Sequence, residues 1–370
     1  MNNSKNIFFW SPFVSKVGTR LAVTNSIEAL KKNTKHKLYL INLIGEFNDY
    51  SFTGIKKINF LDIKNFIPER GFSSKVCLWI ISIFSIPWLI FTLKKNKADI
   101  IISNLVSIIP LFVNLFLRKK IICSIQGYPQ FTFLRKILWY LLYKKANLII
   151  TMSEITKNEI SNKIGFTKNI TKIDNPIINK NIIKLSNQRL SNKEKKIFNK
   201  NTFICAGRLT RQKNFALAIK SFINFNKLKK FKYNLVILGE GEEKNMLKSL
   251  SLPSKKNIFF LGYKKNPYKY IKSSKLFLST SLWEDPGHAL IEAAYLRIPI
   301  ITNNCLAAPR EIFNKTNCIK FNGQQQELEQ KFMEFTKLNK SKINSLKKNA
   351  FKITKNFSKE EFIIKILKFL

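Results

Sequence analysis

Histidine and cysteine are scarce. His36 and His288 are the only imidazoles, and the five cysteines, Cys77, Cys123, Cys205, Cys305 and Cys318, stand far apart with no C-x-x-C pair. An odd, dispersed set argues against a disulfide framework, and the missing ligand spacing argues against structural zinc, so no metal is expected. A secretory signal is lacking as well: residues 1–5 run directly into the strand-like Asn6-Ile7-Phe8-Phe9-Trp10 without a long apolar region or a small-residue cleavage site. A reducing cytoplasm is the expected compartment.

Acidic residues are few, 22 Asp+Glu against 65 Lys+Arg, and the 370-residue chain carries a formal charge of +43. Such an excess normally points to nucleic acid. Here the lysines are scattered along the whole chain among Asn, Ile and Phe, with no RNP sequence or zinc finger, so nucleic acid is not expected as a partner. An anionic membrane surface is, because each Lys or Arg near it adds about 1 kcal/mol. A hydrophobic fraction of 45% supplies the cores of two domains and excludes a disordered basic tail.

Short β-branched runs at 37–43, 98–103, 120–124 and 147–151 alternate with helical patterns, and the alternation restarts at 203–206, 234–238, 258–261, 276–279 and 299–302. This reads as α/β, two Rossmann-like doubly wound domains facing a central cleft, with ligands at the carboxyl ends of the strands. The expected division is an acceptor-side domain at 1–186 with membrane-docking helices, a hydrophilic linker at 187–200, and a donor-binding domain at 201–356. A capping-box signature at Ser358-Lys359-Glu360-Glu361 starts a last helix, 357–370, expected to pack back toward the first domain. Residues 76–93 are uncharged for 18 positions, just reaching spanning length, but a crossover helix feeding the strand at 98–103 cannot leave that strand's sheet across a bilayer. With the aromatic and basic segment 131–145, they read as helices lying on a membrane.

The densest chemical signal is Ser279-Thr280-Ser281-Leu282-Trp283-Glu284-Asp285-Pro286-Gly287-His288-Ala289-Leu290-Ile291-Glu292. Asp285 and Pro286 read as the N-cap and first position of a helix whose amino end binds a phosphate. Glu284 and Glu292 are placed to accept hydrogen bonds from hydroxyl groups on each side of it, and an internal Glu292 in an apolar run needs partners. Arg208 and Lys213, on the loop after the strand ending at Ala206, suit a diphosphate without a metal. Gly239-Glu240-Gly241 signals a turn or a close backbone approach to a ligand. His288 is a packing residue or a ligand contact.

These residues resemble the retaining nucleotide-sugar glycosyltransferases of the GT-B fold, glycosyltransferase family 4. The resemblance rests on Gly207-Arg208-Leu209 with Lys213, Gly239-Glu240-Gly241, the Glu-x7-Glu pair Glu284 and Glu292 around Pro286-Gly287, the following Ile298-Pro299-Ile300-Ile301, and Ala308-Pro309-Arg310-Glu311-Ile312. It is specific across roughly 203–325 and weaker before. It implies a hexosyltransferase in which Arg208 and Lys213 hold the diphosphate, Glu292 binds the ribose, and Glu284 contacts the donor sugar near the reacting carbon. Gly207, Gly239, Pro286, Gly287 and His288 complete the implied donor site, and Gly18 and Gln126 are the acceptor-side positions. The implied co-substrate is a UDP- or GDP-sugar with no further cofactor, and the acceptor a lipid-linked or cell-surface polysaccharide or lipopolysaccharide, reached from the inner face of the cell membrane. In this sequence the family's glycine-rich first loop is reduced to Ser15-Lys16-Val17-Gly18-Thr19, the frequent His-Gly is Gln126-Gly127, the glycine before Pro299 is replaced by Arg297-Ile298, and the glycine pair before Arg310 by Ala307-Ala308. The competing readings are a glycoside hydrolase with paired carboxylates and a non-catalytic basic membrane-binding protein.

Overall fold

A computed structural model describes residues 4–14, 18–68, 72–129, 131–165, 168–199, 201–230 and 232–370. The chain divides into two compact units, Met1–Pro176 with Lys359–Leu370, and Ile177–Ser358. In the first unit, β1 (Asn6–Trp10), β2 (Lys37–Asn42), β3 (Lys56–Asn59), β4 (Ile100–Ser103), β5 (Lys120–Ser124), β6 (Leu148–Thr151) and β7 (Ile170–Lys172) form one sheet in the order β3-β2-β1-β4-β5-β6-β7. Every pairing in it is parallel. Its central strands are buried on both faces, which is why they read as unbroken apolar runs.

The second unit repeats the design. Strands β8 (Asn201–Ala206), β9 (Tyr233–Leu238), β10 (Ile258–Gly262), β11 (Leu276–Ser279), β13 (Ile300–Asn303) and β15 (Ile319–Phe321) form a parallel sheet in the order β10-β9-β8-β11-β13-β15. The short pair β12 (Trp283–Glu284) and β14 (Leu306–Ala307) stands outside it.

The expected linker at 187–200 is not one. The division falls between Pro176 and Ile177, and the hydrophilic stretch holds a helix, Asn192–Phe198, inside the second unit. Its polar side chains have partners in that unit. Ser191 and Glu194 form a capping box, Lys269 Nζ pairs with Glu194 Oε2 at 2.9 Å, and the Tyr270 hydroxyl donates to the same carboxylate. The last helix, Lys359–Ile366, lies in the first unit, where Phe362, Ile363 and Ile366 pack with Ile7, Phe9, Val23 and Ile27. Lys359 reaches Glu28 at 2.6 Å and Lys365 reaches Asp174 at 2.8 Å.

Residues 76–93 fold as two helices, α2 (Phe72–Phe84) and α3 (Ile86–Lys95), after α1 (Gly18–Asn33), with a 52° bend at Ser85 and Pro87 in the first turn of α3. Among the described residues no single helix is long and apolar enough to cross a membrane. α2 is apolar on two sides: Val76, Trp79, Ile80, Ile83 and Phe84, an i, i+3, i+4, i+7, i+8 stripe, face solvent, while Cys77, Leu78 and Ile81 pack on the core and Ser74 and Ser82 are buried. Ser82 tolerates burial because its hydroxyl donates to the Leu78 carbonyl at 2.6 Å, and Ser85, in the bend, donates to that of Ser82 at 2.8 Å. After α4 (Ile108–Leu117), α5 (Phe133–Tyr143) exposes a second stripe of Phe133, Leu134, Ile137, Tyr140 and Leu141. Its Trp139 points the other way, stacked on Tyr143 at 4.5 Å within the core. Trp139→Ala should therefore cost about 3–5 kcal/mol of stability and Tyr140→Ala within about 0.5 kcal/mol, read from urea unfolding midpoints. Equal costs would place the two rings on one face.

Candidate active site

The site is built from the loops at the carboxyl ends of β8, β9, β11 and β13 in the second unit. The loop after β8 is laced to the loop after β9: Gly207 N donates to Leu238 O and Leu209 N to Glu240 O, both at 3.0 Å. A Cβ at Gly239 would sit 1.8 Å from the Gly207 carbonyl oxygen, and one at Gly241 would sit 2.1 Å from that of Leu209. The close backbone approach at Gly239 is thus of the chain to itself, and it fixes the height at which Gly207 and Arg208 leave the sheet.

From there a single 3-10 turn, Arg211–Lys213, leads through Asn214 into the helix Phe215–Leu228. The turn is clamped to the loop after β11. Gln212 Nε2 donates to Trp283 O and Leu282 N to Gln212 O, both at 2.8 Å, while Thr280 Oγ1 lies 2.9 Å from the carbonyl oxygens of Lys213 and Asn214. The clamp delivers the Lys213 ammonium to Glu284 Oε1, with which it forms an ion pair. Glu284 is buried and also accepts from Ser281 Oγ at 2.6 Å; Ser281 is itself held by Asn303, whose Nδ2 donates to its carbonyl at 2.9 Å. Thr280, Ser281, Gln212 and Asn303 are the members that sequence reading did not single out. Thr280 and Ser281 had one signal, the hydroxyl run Ser279-Thr280-Ser281 ahead of Glu284, and Gln212 and Asn303 had none.

The helix expected to start at Pro286 starts later. Asp285–Pro286 is a cis bond outside it, the N-cap is Gly287, and the helix runs His288–Tyr295. Gly287 sits at φ +86°, a left-handed conformation that lets the chain turn out of β12, and Leu290 and Glu284 leave little room for a side chain there. The amino end of the helix is therefore set by Gly287 and not by an Asp285 cap. Its first backbone N–H groups, at His288 and Ala289, have no carbonyl one turn back to bond. Lys213, Ser279, Ser281, Glu284, Gly287 and Ala289 line one small pocket against this end. His288 is partly buried, and its Nδ1 has no hydrogen-bond partner among the described residues. Burial pushes its pKa down to about 4, with Glu284 opposing and Lys213 reinforcing, so the imidazole is neutral at pH 7.

One turn further, Glu292 is buried and accepts from the Tyr268 hydroxyl at 3.1 Å. Arg208 is exposed on the loop after β8; its carbonyl accepts from Thr210 N at 2.9 Å, and its guanidinium has no ion-pair or hydrogen-bond partner among the described residues. The structure thus gathers Gly207, Lys213, Glu284, Pro286, Gly287 and His288 closely, with Arg208 and Glu292 at the margins and Gly239 beneath. Gly18 and Gln126 belong to the first unit. Gly18 is the exposed first residue of α1, and the preceding Ser15-Lys16-Val17 lies outside the described residues. Gln126 follows β5, donating to Ser124 Oγ and accepting from Asn175 Nδ2, both at 2.7 Å. Where glycine was replaced the backbone keeps its left-handed form: Ala307 sits at φ +72°, and Arg297 at φ +55° with its guanidinium 4.2 Å over the Phe351 ring.

Residues 186–353 match the family model of glycosyl transferases group 1. The chain is 38% identical over 177 residues to an uncharacterized glycosyltransferase of Methanocaldococcus jannaschii, covering 46% of this chain and 43% of that protein. It is 30% identical over 183 residues to the N-acetylgalactosamine-N,N'-diacetylbacillosaminyl-diphospho-undecaprenol 4-alpha-N-acetylgalactosaminyltransferase of Campylobacter jejuni, covering 48% and 47%. The chain spans about half the length of these curated relatives. In three dimensions it is similar to Anabaena HepE in complex with UDP and glucose, with a TM-score of 0.77 at 15% identity, covering 98% of each chain. A Rickettsia africae glycosyltransferase gives 0.77 at 17% identity, covering 99% and 98%. The fold is GT-B, two parallel-sheet Rossmann-like units.

Burial raises the Glu292 carboxyl from 4.5 to about 7, Tyr268 opposing. The unfolded chain then loses this proton first, so stability falls as pH rises from about 4.5 and levels off above about 7, by at most about 1.4 kcal/mol for each tenfold fall in proton concentration. Glu292→Gln should flatten that decline in denaturant midpoints between pH 5 and 7. An unaltered decline would mean that Glu292 titrates as if exposed.

Proposed function

We propose that the chain is a retaining family 4 glycosyltransferase, metal-independent, that moves a hexosyl group from a UDP- or GDP-sugar to a lipid-linked glycan acceptor. The observation that carries this reading is the convergence of the Lys213 ammonium, the Glu284 carboxylate and the Gly287 helix start on one pocket, with the unpaired Arg208 cation on the adjoining loop. A nucleoside diphosphate needs cations and N–H donors, and a sugar needs acceptors for its hydroxyls. Both sets are present. The family match over 186–353 supports the same chemistry, and the lipid-linked acceptor is supported by the name of the Campylobacter jejuni relative.

In this reading the bond between the sugar's anomeric carbon and the diphosphate oxygen breaks, and the acceptor oxygen bonds to that carbon on the same face. The acceptor's proton passes to the departing diphosphate. Charge grows on the leaving group, so Arg208, Lys213 and the His288 and Ala289 N–H groups act by stabilising it. Glu284 orients the donor sugar, and Glu292 accepts from the ribose. The neutral His288 imidazole offers a hydrogen bond without adding charge. Gly18 and Gln126 are assigned to the acceptor.

The first unit is assigned to an anionic membrane surface on the cytoplasmic side, supported by the outward apolar stripes of α2 and α5 and the lysines beside them, Lys75, Lys94, Lys95, Lys136, Lys144 and Lys145.

Arg208→Ala should lower kcat/KM for the nucleotide sugar about ten- to a hundredfold, the loss of a charge-assisted contact of roughly 1.5–3 kcal/mol. The unfolding midpoint should not move. Nucleotide release unchanged across a panel of nucleotide sugars would show that the phosphate lies elsewhere. Separately, replacing Trp79, Ile83 and Phe84 by Ser should shift the protein from the pellet to the supernatant when sedimented with phosphatidylglycerol vesicles. Wild-type protein that stays in the supernatant would end the membrane assignment.

A further inference from the structure

Resting on the reading that the acceptor is lipid-linked, we propose that the first unit holds the isoprenoid chain of that acceptor in an apolar groove between residues 63–67 and α2. The groove is lined by Ile63, Phe66, Ile67, Cys77, Ile80 and Ile81 and is an open one with a volume of about 330 Å³, within the range of small-ligand sites. None of the six side chains offers an oxygen or nitrogen, so a sugar, a nucleotide or a phosphate has nothing to bond there. A hydrocarbon chain loses nothing and leaves water.

Three features select such a chain over a soluble apolar molecule. Phe66 is 85% exposed on a short 3-10 turn, Lys64–Phe66, where its ring forms one wall of the groove. Cys77, Ile80 and Ile81 stand at i, i+3 and i+4 of α2, and Ile80 belongs also to the outward stripe of Val76, Trp79, Ile83 and Phe84. The groove is thus continuous with the face assigned to the membrane, so a chain can enter it without crossing water. Lys75, exposed in the first turn of α2, supplies a cation for the phosphate at the head of an anionic lipid. Neither the groove nor this lysine takes part in the donor chemistry, all of which is placed in the second unit.

Cys77 provides the reporter. It is partly exposed, whereas Cys123, Cys205, Cys305 and Cys318 are buried, so alkylation of the full-length folded protein should mark Cys77 first. Its labelling by iodoacetamide, followed by mass spectrometry without vesicles or detergent, should slow about tenfold with farnesyl phosphate at about ten times its dissociation constant, by mass action. Inorganic phosphate should give no protection. Phe66→Ser, at an exposed position that leaves the core intact, should abolish protection by farnesyl phosphate. Absence of protection in the wild type, or protection that survives Phe66→Ser, would overturn the proposal. Equal protection by monomeric dodecyl phosphate would overturn it too, by assigning the groove to membrane acyl chains. The experiment needs no nucleotide sugar. Protection without any sugar transfer would sink the transferase reading alone, and transfer without protection would sink the groove alone.

Discussion

A carboxylate cannot be taken out of water without a cation and hydrogen bonds to meet it, and in the second unit that carboxylate is Glu284. Lys213 supplies the charge and Ser281 a hydroxyl. Each demand propagates outward. Lys213 must arrive from a loop on another strand, which is why Gln212 and Thr280 tie the two loops together, and Ser281 must be aimed, which is what Asn303 does. The glycines at 207, 239 and 241 allow the backbones to lie close enough for the reach to work. The local backbone is thus arranged around one ion pair, and the same pair gives the pocket a fixed positive and a fixed negative edge.

Much of this was legible before any coordinates. The buried strands announce themselves as apolar runs because a parallel sheet covered on both faces has no polar side to show. Strands that meet water do not: β3 reads Lys-Lys-Ile-Asn, and β12 and β14 are two residues each, too short for any period. Arg208 stood out because it follows Gly207, and Glu292 because it is a charge inside an apolar run. The start of the helix after Glu284 was misread because Asp-Pro is a strong local signal, and a left-handed Gly287 overrides it through the turn out of β12. The linker was misread because an exposed polar stretch was taken for a connection, whereas it holds a helix whose Glu194 has its partners in Lys269 and Tyr270 of the same unit.

Trp139 and Tyr140 show the same limit from the other side. Neighbours on α5 in an aromatic, basic segment look alike in a sequence, but a helix turns about 100° between them and sends one ring into the core and the other outward. The reverse inference works on α2, where Ser82 inside and Phe84 outside defy the usual partition. The outward stripe is informative because α2 already packs Cys77, Leu78 and Ile81 on the core, so the exposed apolar side chains are ones the interior does not use.

The order of the chain has a further effect. The first unit includes Lys359–Leu370 but is interrupted by the whole of Ile177–Ser358, whose ends meet where Ile178 N bonds Phe357 O at 2.9 Å. On the ribosome, the apolar surface formed by Ile7, Phe9, Val23 and Ile27 waits for a cover that is synthesised only after the whole second unit. Until then the nascent first unit carries an open hydrophobic flank, the kind of surface that chaperones and misassembly compete for, so maturation of the early half is timed by completion of the late one.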